Sequence, residues 1–138
     1  MRCVGQVAVT MRILRLAILI TVLAPAAGVA AGNADVLAVE VKRSAPQTWT
    51  FVVTVKHPDT GWQDYADGWD VVLPDGTVVK PSPGEAFTRT LWHPHVNEQP
   101  FTRSQSGIRI PGEIKEVVVR AHDIKDGFGG RELRVPLP

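Results

Sequence analysis

The 138-residue chain has one cysteine, one tyrosine and two methionines. A lone cysteine excludes an internal disulfide. Charge of either sign is also scarce in excess, since 15 Lys+Arg against 14 Asp+Glu leave a formal net charge of +1. Neutralising phosphates takes a clustered basic patch, and the longest basic run is Lys42-Arg43, so no nucleic-acid partner is expected. There is no Gly-rich phosphate loop opening a helix and no Gly-x-Ser-x-Gly elbow around Thr102, Ser104 or Ser106. The carboxylates Asp64, Asp67 and Asp70 lack the alternation and central glycine of an EF-hand loop. These absences lead to the expectation of a non-enzymatic protein, with a small hydrolase as the third reading.

Long apolar runs are confined to one place. Residues 1–31 carry Arg2, Arg12 and Arg15 and no acid, then an apolar run over 16–24, then the small residues Ala26-Ala27-Gly28-Val29-Ala30-Ala31. A basic start, a short apolar segment and a small-residue exit describe a secretory signal peptide. Pro25 and two glycines interrupt the run before it reaches the roughly 20 apolar residues of a spanning helix. Cleavage is expected after Ala31, with Ala30 and Ala34 as alternatives, and Met11 is an alternative start. Residues 1–31 are therefore read as a removed leader, with only transient membrane contact, and residues 32–138 as one secreted or periplasmic domain. Cys3 lies far from any lipobox position. Three of the 15 basic residues and none of the 14 acids fall in the leader, which leaves 12 against 14, a net of −2. The remaining domain has no cysteine.

Beyond the leader the apolar period becomes two. Trp49, Phe51, Val53 and Val55 alternate with Thr and Lys, and Leu37-Val39-Val41, Val117-Val119-Ala121 and Leu133-Val135-Leu137 repeat the pattern. Strict alternation marks a strand with one face in a core. Twelve Gly and eleven Pro suit turns better than helix interiors. Asp75-Gly76 reads as a hairpin turn, and Pro81-Ser82-Pro83-Gly84, Pro111-Gly112 and Gly127-Phe128-Gly129-Gly130 punctuate the rest. Strands are expected near 36–43, 48–56, 69–73, 77–80, 87–92, 101–110, 115–121 and 131–137. Seven or eight short strands predict an all-β antiparallel sandwich, with a small barrel as the alternative.

The run Val117-Val118-Val119-Arg120-Ala121-His122-Asp123, a Gly-rich turn and Leu133-Arg134-Val135 resemble the closing hairpin of bacterial immunoglobulin-like or fibronectin-III-like domains. His57-Pro58-Asp59-Thr60-Gly61-Trp62, Tyr65-Ala66-Asp67-Gly68-Trp69 and the run from His93 to Ser104 resemble a family of small secreted bacterial proteins of unassigned function. The resemblance implies an immunoglobulin-like fold and an exported location, and it implies no activity.

Four histidines, His57, His93, His95 and His122, concentrate the chemistry. His93 and His95 are two apart in an extended segment stiffened by Pro94, which suits half of a Zn or Cu site. If every strand reverses direction, the strands ending at Trp92 and Ala121 point the same way. That gathers His93, His95 and His122 at one end with Glu98 and Asp123 in reach, and sends His57 to the other. Trp62 and Tyr65, set among aspartates, are candidates to stack a sugar or another ligand, whereas Trp69 opens an apolar strand and belongs to the core. The segment Gln99–Ser104 could offer an accessible strand edge. The leading expectation is an exported binding module that engages an unidentified protein or small ligand through Trp62, Tyr65, Glu98 and Asp123 and needs no cofactor. The alternative is a Zn- or Cu-binding protein using His93, His95 and His122.

Overall fold

Thr48–Lys56 shows how the alternation folds: Trp49, Phe51, Val53 and Val55 are buried while the residues between them are not. In the computed structural model, which describes residues 32–138, this segment is the second of eight strands. They are β1 (Asp35–Ala45), β2 (Thr48–Lys56), β3 (Ala66–Val72), β4 (Val78–Val79), β5 (Arg89–Thr90), β6 (Phe101–Arg109), β7 (Glu116–Asp123) and β8 (Leu133–Pro136). The expected leader, residues 1–31, lies outside the described residues, among which there is no helix.

The strands form two antiparallel sheets, one of order β1-β2-β6 and one of order β4-β3-β7-β8 with β5 also paired to β3. Their inward residues make a single core of Trp49, Phe51, Val53 and Val55 from one sheet with Trp69, Val71, Val117 and Val119 from the other. This is the expected all-β sandwich. Trp69 is fully buried, as its place in an apolar strand predicts. β6 pairs only with β2, so the Phe101–Arg109 strand is a sheet edge.

The turn at Pro74-Asp75-Gly76 closes β3 onto β4, with Leu73 N–H donating to Thr77 O at 2.8 Å. Only Gly76 takes a positive φ, at 88°, which fits a three-residue loop with glycine in the left-handed position rather than a two-residue turn.

The expected alternation of direction fails at one point, and the failure moves the candidate site. β4 and β5 are both antiparallel to β3 and lie end to end along the same edge, because β7 occupies the other. They are one strand interrupted by a loop over 80–88, not two strands joined by a hairpin. Pro81 and Pro83 have no N–H for a ladder, so the chain leaves the sheet there. Thr88 brings it back. Its Oγ1 accepts from Val71 N–H at 2.8 Å and donates to Val79 O, and its N–H donates to Asp70 Oδ1 at 3.2 Å. Phe87 then lies over Gly68, where a Cβ would come within 2.2 Å of the ring, so only glycine fits beneath it.

With β4 and β5 counted once, the ends of β2, β5 and β7 coincide. The connections over 57–65, 91–100 and 124–132 therefore all leave from one end of the sandwich. His57 joins the other three histidines there, against the expectation that it lies at the opposite end.

Candidate functional site

The core phase of two strands runs on past the apolar residues into polar ones. In β2 the buried positions 49, 51, 53 and 55 continue to His57 and Asp59, and in β7 the buried positions 117, 119 and 121 continue to Asp123. His57 and Asp123 are fully buried and Asp59 nearly so. Burying charge without partners costs several kcal/mol, so the contacts at this end carry weight.

Asp59 is fully committed. Its Oδ1 lies 2.6 Å from His57 Nδ1 and accepts from Ala66 N–H at 3.0 Å, and its Oδ2 accepts from His95 N–H at 2.7 Å. Two backbone donors hold it as an acceptor, which makes His57 Nδ1 the protonated nitrogen. Gln99 ties the same loops together, accepting from His57 N–H at 3.1 Å and donating to His95 O at 3.1 Å.

His57 Nε2 then faces three oxygens: Gly32 O at 3.2 Å, Asp64 Oδ1 at 3.5 Å and Asp123 Oδ2 at 4.0 Å. Asp64 Oδ1 and Asp123 Oδ2 are buried and have no hydrogen-bond partner. The other oxygen of Asp123 is satisfied by the N–H groups of Lys125 at 3.1 Å and Asp126 at 2.6 Å, which fixes the free one. A lone pair on Nε2 facing three oxygens is repulsive, so electron-rich atoms converge at this point with no donor between Asp64 and Asp123.

The expected histidine set is distributed around this cluster. His93 is exposed and its ring lies 4.6 Å from that of His95. His95 is buried, stacks on Phe101 at 4.0 Å and 10°, and has no partner on either ring nitrogen. Burial pushes its imidazole below the ordinary value, with Arg103 and then His93 adding to the shift against the pull of Asp59 and Glu98. His122 turns to the outer face, 2.5 Å from Asp67 Oδ1 and packed between Phe87 and Phe128. Among the described residues, the His, Cys, Asp and Glu group with ligand atoms within 4.8 Å of one another is His57, Asp64 and Asp123. It shares only Asp123 with the binding and metal-ligating residues expected from the sequence, and it takes in His57, the histidine expected at the other end. His57 and its support Asp59 were legible only through the core phase, which puts polar residues where β2 should bury apolar ones, and Asp64 lies outside that phase.

Glu98 is exposed and holds Arg103 through two bonds of 3.2 Å, and that hydrogen bonding keeps its carboxyl below the usual range. Trp62 is 67% exposed and meets Tyr65 edge to face at 5.7 Å. Tyr65 O accepts from Ile124 N–H at 3.2 Å, which joins this loop to the β7–β8 connection. Among the described residues the large exposed hydrophobic ones are Trp62, Trp92, Val96, Ile124 and Phe128, and all five stand on the three connections of this end. A shallow depression at the opposite end, lined by Pro46, Gln47, Arg109 and Pro111, touches none of these residues.

No family model matches the chain, and no solved structure matches it significantly. A Halomicrobium mukohataei protein named "Putative lipoprotein" is 36% identical over 103 residues, covering 75% of this chain and 47% of that protein. The chain thus spans about half the length of the curated relative it matches.

Proposed function

We propose that the chain is an exported, non-enzymatic β-sandwich module, immunoglobulin-like in kind, that engages another protein through the end bearing His57, His93, His95 and Asp123. The observation that carries this reading is the segregation of exposed apolar side chains. Trp62, Trp92, Val96, Ile124 and Phe128 all lie on connections of one end, with Trp92 72% exposed. Scattered exposed apolar residues need no explanation, but gathered ones mark interaction surfaces. Tryptophan beside hydrogen-bonding groups is the usual anchor of a protein interface. The basic and apolar start of the sequence supports export, to a secreted or periplasmic location, and the lipoprotein name of the relative points the same way.

A photo-crosslinking scan in the producing cells tests this. A photoreactive phenylalanine at position 62, 92, 96 or 128 should yield one discrete crosslinked species, and the same residue at 75 or 113, on the opposite end, should yield none. Equal yields from both ends, or none from the first, would remove the reading.

A further inference from the structure

The geometry points to a divalent transition-metal site, of the zinc class, formed by His57 Nε2, Asp64 Oδ1 and Asp123 Oδ2. It uses different histidine chemistry from the His93, His95 and His122 set, and it does not depend on the partner surface proposed above.

Three independent features converge. The three atoms already stand within 4.8 Å of one another, with His57 Nε2 3.5 Å from Asp64 and 4.0 Å from Asp123. Bonds of about 2.0–2.1 Å in a tetrahedral site set neighbouring ligand atoms roughly 3.4 Å apart, so the His57–Asp64 pair already has ligand spacing and Asp123 would close in by about 0.6 Å toward His57 and by at most about 1.4 Å toward Asp64. Second, Asp123 is completely buried and its Oδ2 has no partner, although every other polar atom of that carboxylate and of Asp59 is satisfied. A buried anionic oxygen is retained without a donor only at considerable cost, and a cation between Asp64 and Asp123 removes it. Third, His57 is already oriented as a ligand. Asp59 accepts the Nδ1 proton at 2.6 Å, which directs the Nε2 lone pair at the two free oxygens. A carboxylate behind the distal nitrogen is the usual support of a metal-bound imidazole, fixing its tautomer and raising its basicity.

The donor set also selects the ion. One imidazole and two carboxylates suit zinc and its neighbours, whereas calcium takes six to eight oxygens and makes little use of nitrogen. Two ligating carboxylates neutralise a divalent charge. Gly32 O, 3.2 Å from His57 Nε2, lies close enough to serve as a further oxygen. Asp64 belongs to the connection that carries Trp62, and Asp123 begins the one that carries Ile124 and Phe128. An ion here would join those two loops at their base.

Zinc chloride titrated into the purified protein, followed by calorimetry and thermal melting, tests the site. The expected result is one zinc per chain and a melting midpoint that rises with zinc, because the ion binds only the folded state. Asp64→Asn, at a partly exposed position, should fold normally and weaken binding at least tenfold, and Asp123→Asn should do the same. His93→Ala should leave binding unchanged. Cobalt should bind with the same pattern and give visible absorption lost in Asp64→Asn, and calcium should produce no shift. Absence of a shift at millimolar zinc, full retention in both Asp64→Asn and Asp123→Asn, or loss in His93→Ala would each overturn the assignment.

Discussion

Asp59→Ala is expected to lower the free energy of unfolding by about 3–5 kcal/mol, because it strips the shared acceptor from three buried donors. The side chain accepts from His57 Nδ1, Ala66 N–H and His95 N–H, and none of these has a water route to replace it, since His57 and Ala66 are fully buried and His95 is 5% exposed. Each orphaned buried donor costs about 1–3 kcal/mol. The three losses overlap, because the loop over 57–65 would relax once its anchor is gone. Against a typical stability of about 5–15 kcal/mol for a domain of this size, the variant would be marginal. Asp59→Asn keeps the shape and one good acceptor but turns an N–H group toward other donors, so a smaller loss of about 1–3 kcal/mol is expected. Equilibrium urea unfolding followed by tryptophan fluorescence measures both. A loss below about 0.5 kcal/mol in Asp59→Ala, the size of an ordinary surface substitution, would contradict the geometry.

Trp69→Ala should destabilise by about 3–5 kcal/mol, for a different reason. Trp69 is completely buried between the sheets, at the centre of β3 beside Val71 and across from Ala121. Truncation removes a large apolar surface from the core and leaves a cavity that two paired sheets cannot collapse to fill. Its indole Nε1 has no hydrogen-bond partner, so the ring is held by packing alone. Trp69→Phe therefore gives up volume but also removes an unsatisfied donor, and the two effects oppose each other. Its net cost is expected below about 1.5 kcal/mol. The contrast between the two substitutions, measured as denaturation midpoints at unchanged slope, separates packing from polar contributions. Equal losses for both would mean that the indole nitrogen matters and the packing account is wrong.

The strands were legible because their signal is local. Alternation in Thr48–Lys56 and Glu116–Asp123 follows from one face being buried, and it needs no knowledge of the rest of the chain. Direction is not local. Val78–Val79 and Arg89–Thr90 look like two strands across a Pro-Gly turn, and only their shared edge on β3 shows that they run the same way. That one relation moved His57 across the molecule. Asp123 is legible as a site residue from its place just past the expected strand over 115–121, but its link to His57 is not. The same period-two rule that found the core carries straight on to His57 and Asp59, where turn-forming residues such as Pro58 masked it. Asp64 gave no signal of its own, since its place depends on how the loop over 57–65 folds back through the Gly61–Asp64 bridge.

The central claim is that these three connections share one end of the sandwich, and paramagnetic relaxation measures that directly. A nitroxide attached through Trp62→Cys, in a Cys3→Ser background so that only one thiol is present, probes all of them at once. β2 is nine residues long, so the two ends of the sandwich stand about 30 Å apart at roughly 3.3 Å per residue. The amides over 93–97 and 124–129 should lose most of their intensity, and those over 74–77 and 111–113 should keep theirs. Broadening over 74–77 or 111–113, with 93–97 unaffected, would show that β4 and β5 reverse direction after all and that the site does not assemble.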